Sequence, residues 1–400
     1  MLRSPRMRAS LRVKSIYLNN AATSFPKPAS VHAAIEKSIA QIPAETFRST
    51  AACKQNDSVS LCRNQISRLL SVSKAAQVVL TPGATYSLNL LIQGLLHEND
   101  RVLTTTIEHN SVIRPLTYIS KKKHITIEYI SCNREGFIYL DSLEEKCNKK
   151  MHAFIFSLAG NVTGAVQDIN AITGIIRKKQ PDCLIIADAA QAAGLVPLNP
   201  ESIGLDGVAL AGHKYLLGPG GTGAVWLREG LFPDYLLTGG TGIRSDLTTQ
   251  PEDMPIRYEA GTYNISGFAG LSAGVEYVNN NFQSIQKTVS ENFLELLSMV
   301  EPIKNLKIYN CTDKSVIESG KQNPILCFNI AGLLPDETAM MLADNYGIVT
   351  RSGLHCAPLI HQAIGAPKQG SVRASLSIFT RREEIFCFAE ALKEIAGAVV

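Results

Sequence analysis

No two of the nine cysteines in this sequence are spaced as a C-x-x-C pair. This excludes a zinc ribbon and a thioredoxin-type redox site, and we expect no metal-binding residues. Scattered cysteines in odd number are typical of a reducing compartment, so we expect a cytoplasmic location. No apolar run reaches the roughly 18 residues that a membrane-spanning helix needs, and we therefore expect no membrane partner.

The sequence also has little net charge. Its formal charge is +4 over 400 residues, and it has no basic stripe with interleaved aromatic residues. Nucleic acid is therefore not an expected partner. Hydrophobic residues make up 45% of the chain and charged residues 18%, which is the composition of a folded protein with a sizeable core.

The first fourteen residues, MLRSPRMRASLRVK, are basic and contain no acidic residue. They have no apolar core, which excludes a secretory signal. We interpret residues 1–14 as a disordered extension, and a short organelle-targeting segment is the alternative.

Short β-rich runs alternate with helical stretches between residues 77 and about 227. Their apolar residues are continuous rather than alternating, which is typical of strands that are covered on both faces. The runs are QVVL, RVLTTT, ITIEYIS, HAFIFSLA, CLIIADAA, GVALAG and GAVWL. This pattern predicts an α/β fold with a mostly parallel, seven-stranded sheet.

The rest of the sequence predicts a smaller α+β domain. Residues 228–265 are rich in Gly, Thr, Asp and Pro, which indicates a long functional loop. A long helix over about 267–299, several strands and a final helix from about 381 follow it. We expect residues 15–24 to pack with the small domain, 25–262 to form the large domain and 263–400 to form the small one.

Polar residues stand where the predicted strands end. Ligands of open α/β sheets bind at the carboxyl ends of the strands, so these residues are candidates for one site. The candidates are His109, Asn161, Asp188, Gln191, His213 and Lys214. In TPGATYSLN a glycine turn opens a helix, where backbone N–H groups and the Thr85 hydroxyl either bind an anion or only begin the helix.

Two of these residues are unusual beside apolar strands. Asp188 is costly to bury unless a cation meets it, although a helix-capping aspartate is the ordinary alternative. Lys214 is either an ion-pair partner or a desolvated amine that forms a Schiff base. Together with an anion-binding turn and a flat histidine ring, they are the parts that pyridoxal phosphate requires.

These motifs resemble the class V aminotransferase family of fold-type I pyridoxal phosphate enzymes, and within it the cysteine desulfurases. The resemblance runs from YLNNAATSFPKP to the last helix. It is nearest to the Suf-type, or group II, branch and to the related selenocysteine lyases, because the motif around the reactive cysteine, RSGLHCAP, is short. This chain differs from the family at Ala84 and Ala211, where relatives often have hydroxyl side chains. The histidine that relatives often have directly after the arginine at position 48 is also absent here.

The resemblance implies a role in cofactor binding for eight residues. Lys214 would carry the cofactor, His109 would stack on its ring and move protons in catalysis, and Asp188 would pair with the pyridine nitrogen. Gln191 would bind the phenolic oxygen. The phosphate would be bound by the backbone of Ala84, by Thr85 and His213, and by Thr262 from the other subunit of a homodimer.

The resemblance also implies a set of substrate-binding residues and a nucleophile. Arg373 would bind the substrate carboxylate with help from Asn161. Cys356 would accept the sulfur, and Arg351 and His355, which precede it in the same motif, would also bind the substrate.

The activity that the resemblance implies is that of an L-cysteine desulfurase. Such an enzyme forms L-alanine and an enzyme-bound persulfide, which supplies sulfur for iron–sulfur clusters or other products, through a sulfur-acceptor protein in some cases. The alternatives are a selenocysteine lyase that uses L-selenocysteine, another class V enzyme, and a catalytically silent homologue that serves as a scaffold.

Overall fold

The computed structural model describes residues 15–41 and 57–399. The predicted extension at 1–14 and the position of Arg48 lie outside these residues.

The strands are β1 (Ile16–Tyr17), β2 (Val78–Thr81), β3 (Arg101–Thr105), β4 (Thr126–Ile130), β5 (Ala153–Ser157), β6 (Leu184–Asp188), β7 (Gly207–Ala211), β8 (Gly223–Leu227), β9 (Leu306–Ile308), β10 (Ile325–Ile330), β11 (Ile348–Val349), β12 (Arg351–Gly353) and β13 (Ser371–Ser375).

The helices alternate with the strands through the first two thirds of the chain. They are α1 (Ala29–Ala40), α2 (Ser58–Leu69), α3 (Ala84–Leu95), α4 (Asn110–Lys123), α5 (Leu140–Lys146), α6 (Ile169–Lys179), α7 (Pro200–Ile203), α8 (Ile265–Val300), α9 (Lys314–Glu318), α10 (Pro335–Tyr346), α11 (Pro358–Ala363) and α12 (Arg382–Ala398). Residues 228–264 contain only a short 3-10 turn at Ile256–Tyr258, as the loop prediction requires.

The large sheet has seven strands in the order β2-β8-β7-β6-β5-β3-β4. Only β8 runs antiparallel to its neighbours, so the prediction of a mostly parallel, seven-stranded sheet is confirmed. Phe154 and Phe156 pack into one apolar core, while Ala153 and Ile155 of the same strand pack into another. Both faces are therefore covered, and this explains why the strands read as continuous apolar runs.

A second sheet has four antiparallel strands in the order β12-β13-β10-β9. The segment GIVTRSG forms two strands rather than one, because β11 pairs with β1 while β12 pairs with β13. Ile16 and Leu18 are buried in the apolar core of this second sheet. The limits proposed for the two domains stay a prediction.

Helix α8 joins the two parts of the molecule. Phe268 and Leu271, near its start, pack into the core of the large sheet. Phe293 and Leu297, near its end, pack into the core of the small sheet. One continuous 36-residue helix therefore helps to set the position of the second sheet relative to the first.

A buried ion pair fixes the end of the loop that precedes α8. Arg63 binds Glu259 through two hydrogen bonds, Nη1 to Oε1 at 2.7 Å and Nη2 to Oε2 at 2.9 Å. Glu259 also accepts hydrogen bonds from the backbone N–H of Leu80 at 2.7 Å and from the Tyr263 hydroxyl at 2.6 Å. The carboxylate thus attaches the segment around Thr262 to strand β2.

Glu259→Gln is expected to lower the free energy of unfolding by about 3–5 kcal/mol, because it leaves the buried Arg63 guanidinium without a counter-charge. Urea unfolding followed by circular dichroism measures the loss. Glu229→Gln is the matched control, since its ion pair with Lys74 is exposed and contributes less than about 1 kcal/mol. An equal loss of unfolding free energy in the two variants would show that the buried Arg63–Glu259 pair stabilises the fold no more than an exposed ion pair does.

Candidate active site

A cavity of about 470 Å³ opens at the carboxyl ends of β5, β6 and β7, where the second sheet meets the first. All but two of the predicted site residues line it. Those that do are Ala84, Thr85, His109, Asn161, Asp188, Gln191, His213, Lys214, Arg351, His355 and Arg373. Strand ends and loops that are far apart in the sequence therefore meet in one place, as the topology of the sheet requires.

The amino-terminal end of α3 opens into this cavity. Helix α3 begins directly after Gly83, and no side chain caps its first turn. In contrast, the side chains of Asp57 and Asp168 cap α2 and α6. The backbone N–H groups of the first turn are therefore available to an anion. Gly223 lets β8 pass close to this turn, because a Cβ there would lie 2.6 Å from the Cα of Gly83.

Three histidines line the cavity, and two of them, His109 and His213, are neutral at pH 7. Burial and the Lys214 ammonium lower the pKa of both His109 and His213 to about 4. Nδ1 of His109 accepts a hydrogen bond from the backbone N–H of Ser111 at 3.0 Å, which fixes the ring at the start of α4. A neutral ring of this kind can stack on a flat ligand or donate one N–H to an anion.

Asp188 and Gln191 lie side by side after strand β6. Burial raises the pKa of Asp188, and the nearby Lys214 opposes that shift. Its Oδ1 accepts a hydrogen bond from the backbone N–H of Ala190 at 2.9 Å. The Gln191 amide donates to the backbone oxygen of Ala21 at 2.8 Å, while its own oxygen is buried without a partner.

Lys214 follows strand β7 and lines the cavity. Burial lowers the pKa of its amine to about 8, and the Asp188 carboxylate opposes that shift while Arg373 adds to it. A substantial fraction of the amine is therefore unprotonated near pH 8, and an unprotonated amine is the form that attacks a carbonyl carbon.

Arg351 and Arg373 lie directly opposite each other on strands β12 and β13. Arg373 is buried, and burial together with Arg351 lowers its pKa to about 10. Its Nη1 donates to the backbone oxygen of Asn161 at 2.7 Å and its Nη2 to Oδ1 of Asn19 at 3.3 Å, while Nε has no partner. Within residues 15–41 and 57–399, no carboxylate forms an ion pair with either guanidinium, so the pair suits an anionic ligand.

Cys356 lies beside this cavity rather than in its wall. It lines an adjoining groove of about 560 Å³ that shares Thr85, His109 and Ser111 with the cavity. Nη2 of Arg351 lies 3.4 Å from its sulfur. The backbone oxygen of Cys356 accepts a hydrogen bond from Asn110 at 2.7 Å, which holds the cysteine next to the start of α4.

The ring of His355 turns away from Cys356. Its Nε2 donates to the backbone oxygen of Ser371 at 3.0 Å, and Nδ1 is buried without a partner. Its backbone oxygen accepts a hydrogen bond from the side chain of Asn161 at 2.8 Å. Asn161 thus connects the loop after β5 to the cysteine loop and to Arg373.

Sequence reasoning missed several residues of the cavity. Ser157 closes strand β5 as Asp188 closes β6, and this strand-end signal could have identified it. Ser157 also binds Glu108, a fully buried carboxyl group whose pKa burial raises to about 8. Other lining residues that were not candidates include Ala21, Ala22, Tyr86 and Ser111.

The model of the aminotransferase class-V family matches residues 16–388. The chain belongs to this family. It is 30% identical to a probable cysteine desulfurase of Methanothermobacter thermautotrophicus over 391 residues, which cover 96% of this chain and 95% of the relative. It is 26% identical to a cysteine desulfurase of Wigglesworthia glossinidia brevipalpis, over 95% of this chain and 92% of the relative.

Solved structures agree with the assignment to the class-V family. The apo structure of a cysteine desulfurase from Thermococcus onnurineus NA1 superposes with a TM-score of 0.85 at 27% identity, over 98% of this chain and all of the other. The family resemblance inferred from the sequence and the fold-type I architecture are thus confirmed. None of the helices in the described parts of the chain is long and apolar enough to cross a membrane.

Class-V aminotransferases use pyridoxal phosphate, and the cavity fits this cofactor. The uncapped start of α3 suits its phosphate, and the unpartnered oxygen of Gln191 marks a buried polar position that a ligand can satisfy. Asp188 suits a ring nitrogen, and Lys214 supplies an amine. The donor set therefore matches the phosphate, the ring nitrogen and the aldehyde of the cofactor.

Thr262 lies outside the main cavity of this class-V chain. It is exposed and lines a smaller cavity of about 170 Å³, which shares Pro82, Tyr86 and Gly221 with the main one. Its predicted contact with the phosphate site of a second subunit stays a prediction.

Proposed function

We propose that this protein is a pyridoxal phosphate-dependent L-cysteine desulfurase that transfers the sulfur of L-cysteine to Cys356 and releases L-alanine. The observation that carries the proposal is the position of the Cys356 sulfur, 3.4 Å from Arg351, beside a cavity that also holds Lys214 and Asp188. The names of the curated relatives support it, and they agree with the function predicted from the sequence.

Each reacting group of the substrate has a partner in the chain. The Arg351–Arg373 pair binds the carboxylate, and this attraction relieves the repulsion between the two guanidinium groups. When bound, pyridoxal phosphate withdraws electrons from the α-carbon and so makes its proton acidic. Lys214, with a pKa of about 8, is suited to take that proton and to return one to the product.

Cys356 completes the reaction by forming a new sulfur–sulfur bond. Its thiolate attacks the substrate sulfur, the carbon–sulfur bond breaks, and the electron pair of that bond stays on carbon, which a proton then converts to the methyl group of alanine. Nη2 of Arg351, 3.4 Å from the Cys356 sulfur, is placed to donate a hydrogen bond to it. The persulfide forms in the groove of Cys356, where a sulfur-acceptor protein or a small thiol can reach it.

The decisive experiment is to incubate the purified protein with L-cysteine and a reductant and to measure L-alanine and sulfide together. A desulfurase forms the two products in equal amounts. A silent scaffold forms neither product and binds no cofactor. A protein that is yellow with bound cofactor but forms neither product would catalyse a different class-V reaction.

One observation favours selenocysteine lyase as the second candidate. Cys356 lines the neighbouring groove rather than the cavity, and a weaker carbon–selenium bond needs less help from a nucleophile. Comparing the rates of alanine release from L-cysteine and L-selenocysteine separates the two activities.

We also propose that the protein is a cytoplasmic homodimer in which Thr262 of one subunit reaches the phosphate of the other. The exposed position of Thr262 and the exposure of Leu237, which lines the same small cavity, support this arrangement. Light scattering of the purified protein tests it, and a monomer with full activity would contradict it.

Arg373→Ala is expected to raise the KM for L-cysteine about 30- to 150-fold, because a charge-assisted arginine–carboxylate pair contributes on the order of 2–3 kcal/mol. The absorption of the bound cofactor should change little. Steady-state kinetics measure the effect, and Arg382→Ala on the exposed surface is the control. If KM stayed the same in Arg373→Ala, the guanidinium would have only a structural role.

A further inference from the structure

Two histidines and an aspartate meet at the amino-terminal edge of the large sheet, opposite the candidate active site. His97 and Asp100 lie in the turn between α3 and β3, and His152 directly precedes β5. Because β3 and β5 are parallel neighbours, and His152 N–H donates to the backbone oxygen of Arg101 at 2.8 Å, these two segments lie side by side.

The three side chains each offer one ligand atom, and these atoms lie close together. Nδ1 of His152 lies 3.4 Å from Oδ1 of Asp100, and Nδ1 of His97 lies 4.0 Å from Oδ2 of the same carboxylate. All three ligand atoms lie within 4.8 Å of one another. Two ligand atoms of one zinc ion are about 3.3 Å apart. The distance of 4.0 Å from His97 Nδ1 to Asp100 Oδ2 is slightly longer, and because the His97 ring is exposed, a rotation of its side chain can close this gap.

Hydrogen bonds to the backbone set the orientation of two of these ligands. Nε2 of His152 lies 3.1 Å from the backbone oxygen of Leu95, which can only accept, so Nε2 carries a hydrogen. The other ring nitrogen, Nδ1, faces the Asp100 carboxylate and is the atom available to a metal ion. The carboxylate itself accepts a hydrogen bond from the backbone N–H of His97 at 2.6 Å.

We propose that His97, Asp100 and His152 form a binding site for a divalent transition-metal ion such as Zn²⁺. Two imidazole nitrogens and a carboxylate oxygen are ligands that zinc accepts, with water in the fourth position, whereas calcium and magnesium prefer oxygen ligands alone. The bond from His152 to Leu95 is the type of supporting contact that orients a metal-bound histidine. The sequence did not indicate this site because its ligands come from two separate segments.

The bound ion would connect the turn before β3 to the start of β5. Each of these strands is five residues long, so the site lies about 15 Å or more from the carboxyl ends of the strands. We therefore expect the metal to raise the Tm of the protein without taking part in the reaction of the cavity.

Calorimetric titration of Zn²⁺ into the holoenzyme tests the proposal. The background carries Cys53→Ser, Cys356→Ser and Cys387→Ser, so that these thiols do not compete for the metal. One Zn²⁺ is expected to bind per chain, and Kd should rise at least tenfold in His97→Ala and in Asp100→Asn. His32→Ala, which removes an exposed histidine of α1, is the control and should change nothing.

Cobalt substitution identifies the ligands independently. Co²⁺ at this site should give weak visible bands without an intense sulfur-to-metal band. The proposal would be overturned by the absence of saturable Zn²⁺ binding, by an unchanged Kd in His97→Ala, or by a sulfur-to-metal band in the Co²⁺ spectrum. Alanine release by His97→Ala with an intact Cys356 should equal that of the wild-type chain, so the outcome is independent of the proposed function.

Discussion

Cys356→Ser is expected to lower alanine release from L-cysteine at least about 100-fold, because a serine hydroxyl is not ionised at neutral pH and cannot replace the thiolate. The variant should keep its bound cofactor, since Cys356 lines the neighbouring groove and not the cavity. Mass spectrometry of the wild-type protein after reaction should show one added sulfur on the peptide that carries Cys356.

Cys387→Ser is the matched control for this experiment. Cys387 is an exposed cysteine on α12, away from the cavity, and its replacement should leave the rate unchanged. Normal alanine release by Cys356→Ser, or added sulfur on another cysteine only, would remove Cys356 from the reaction. Retained activity on L-selenocysteine alone would favour the lyase.

Lys214→Ala is expected to abolish turnover, with a loss of at least about 10³-fold, because it removes the amine that we propose both holds the cofactor and moves the α-proton. The variant should fold and bind any cofactor without a covalent bond. Borohydride reduction of the wild-type holoenzyme followed by peptide mapping should place the label on Lys214.

Lys27 is an internal control for the mapping. Burial lowers its pKa to about 8 as well, but it binds the backbone oxygen of His213 at 2.9 Å and does not line the cavity. A label on Lys27 would show that a lowered pKa, and not position in the cavity, selects the reactive lysine.

The lowered pKa of Lys214 also predicts the pH dependence of cofactor uptake. Only the unprotonated amine attacks the aldehyde, so the uptake rate of the apoenzyme should fall about tenfold per pH unit below pH 8 and level off above it. Stopped-flow absorption measures this rate. A rate that kept rising to pH 10 would mean that the amine has the pKa of an ordinary lysine.

The sequence by itself determined the large sheet and the residues at its carboxyl edge. Strands covered on both faces are continuously apolar, so a polar residue at a strand end, such as Asp188 or His213, is visible against its neighbours. Parallel topology then brings these ends together, which made most of the cavity predictable without coordinates.

Contacts between segments that are distant in the sequence could be identified only from the tertiary structure. Arg351 and Arg373 are separate in the sequence, and only the register of β12 against β13 makes them a pair of adjacent cations. The same is true of Arg63 and Glu259, whose ion pair joins α2 to the loop before α8. No local pattern contains such contacts, because they depend on which strands and loops become neighbours.

The position of the Cys356 thiol also depends on the tertiary structure. His355 and Cys356 both have positive φ, at 50° and 58°, a conformation that residues with side chains rarely adopt. The bond from Asn110 to the backbone oxygen of Cys356 and the contact of His355 with Ser371 hold this turn. The motif RSGLHCAP predicted a reactive cysteine, but only these long-range bonds place its sulfur beside Arg351 and outside the cavity.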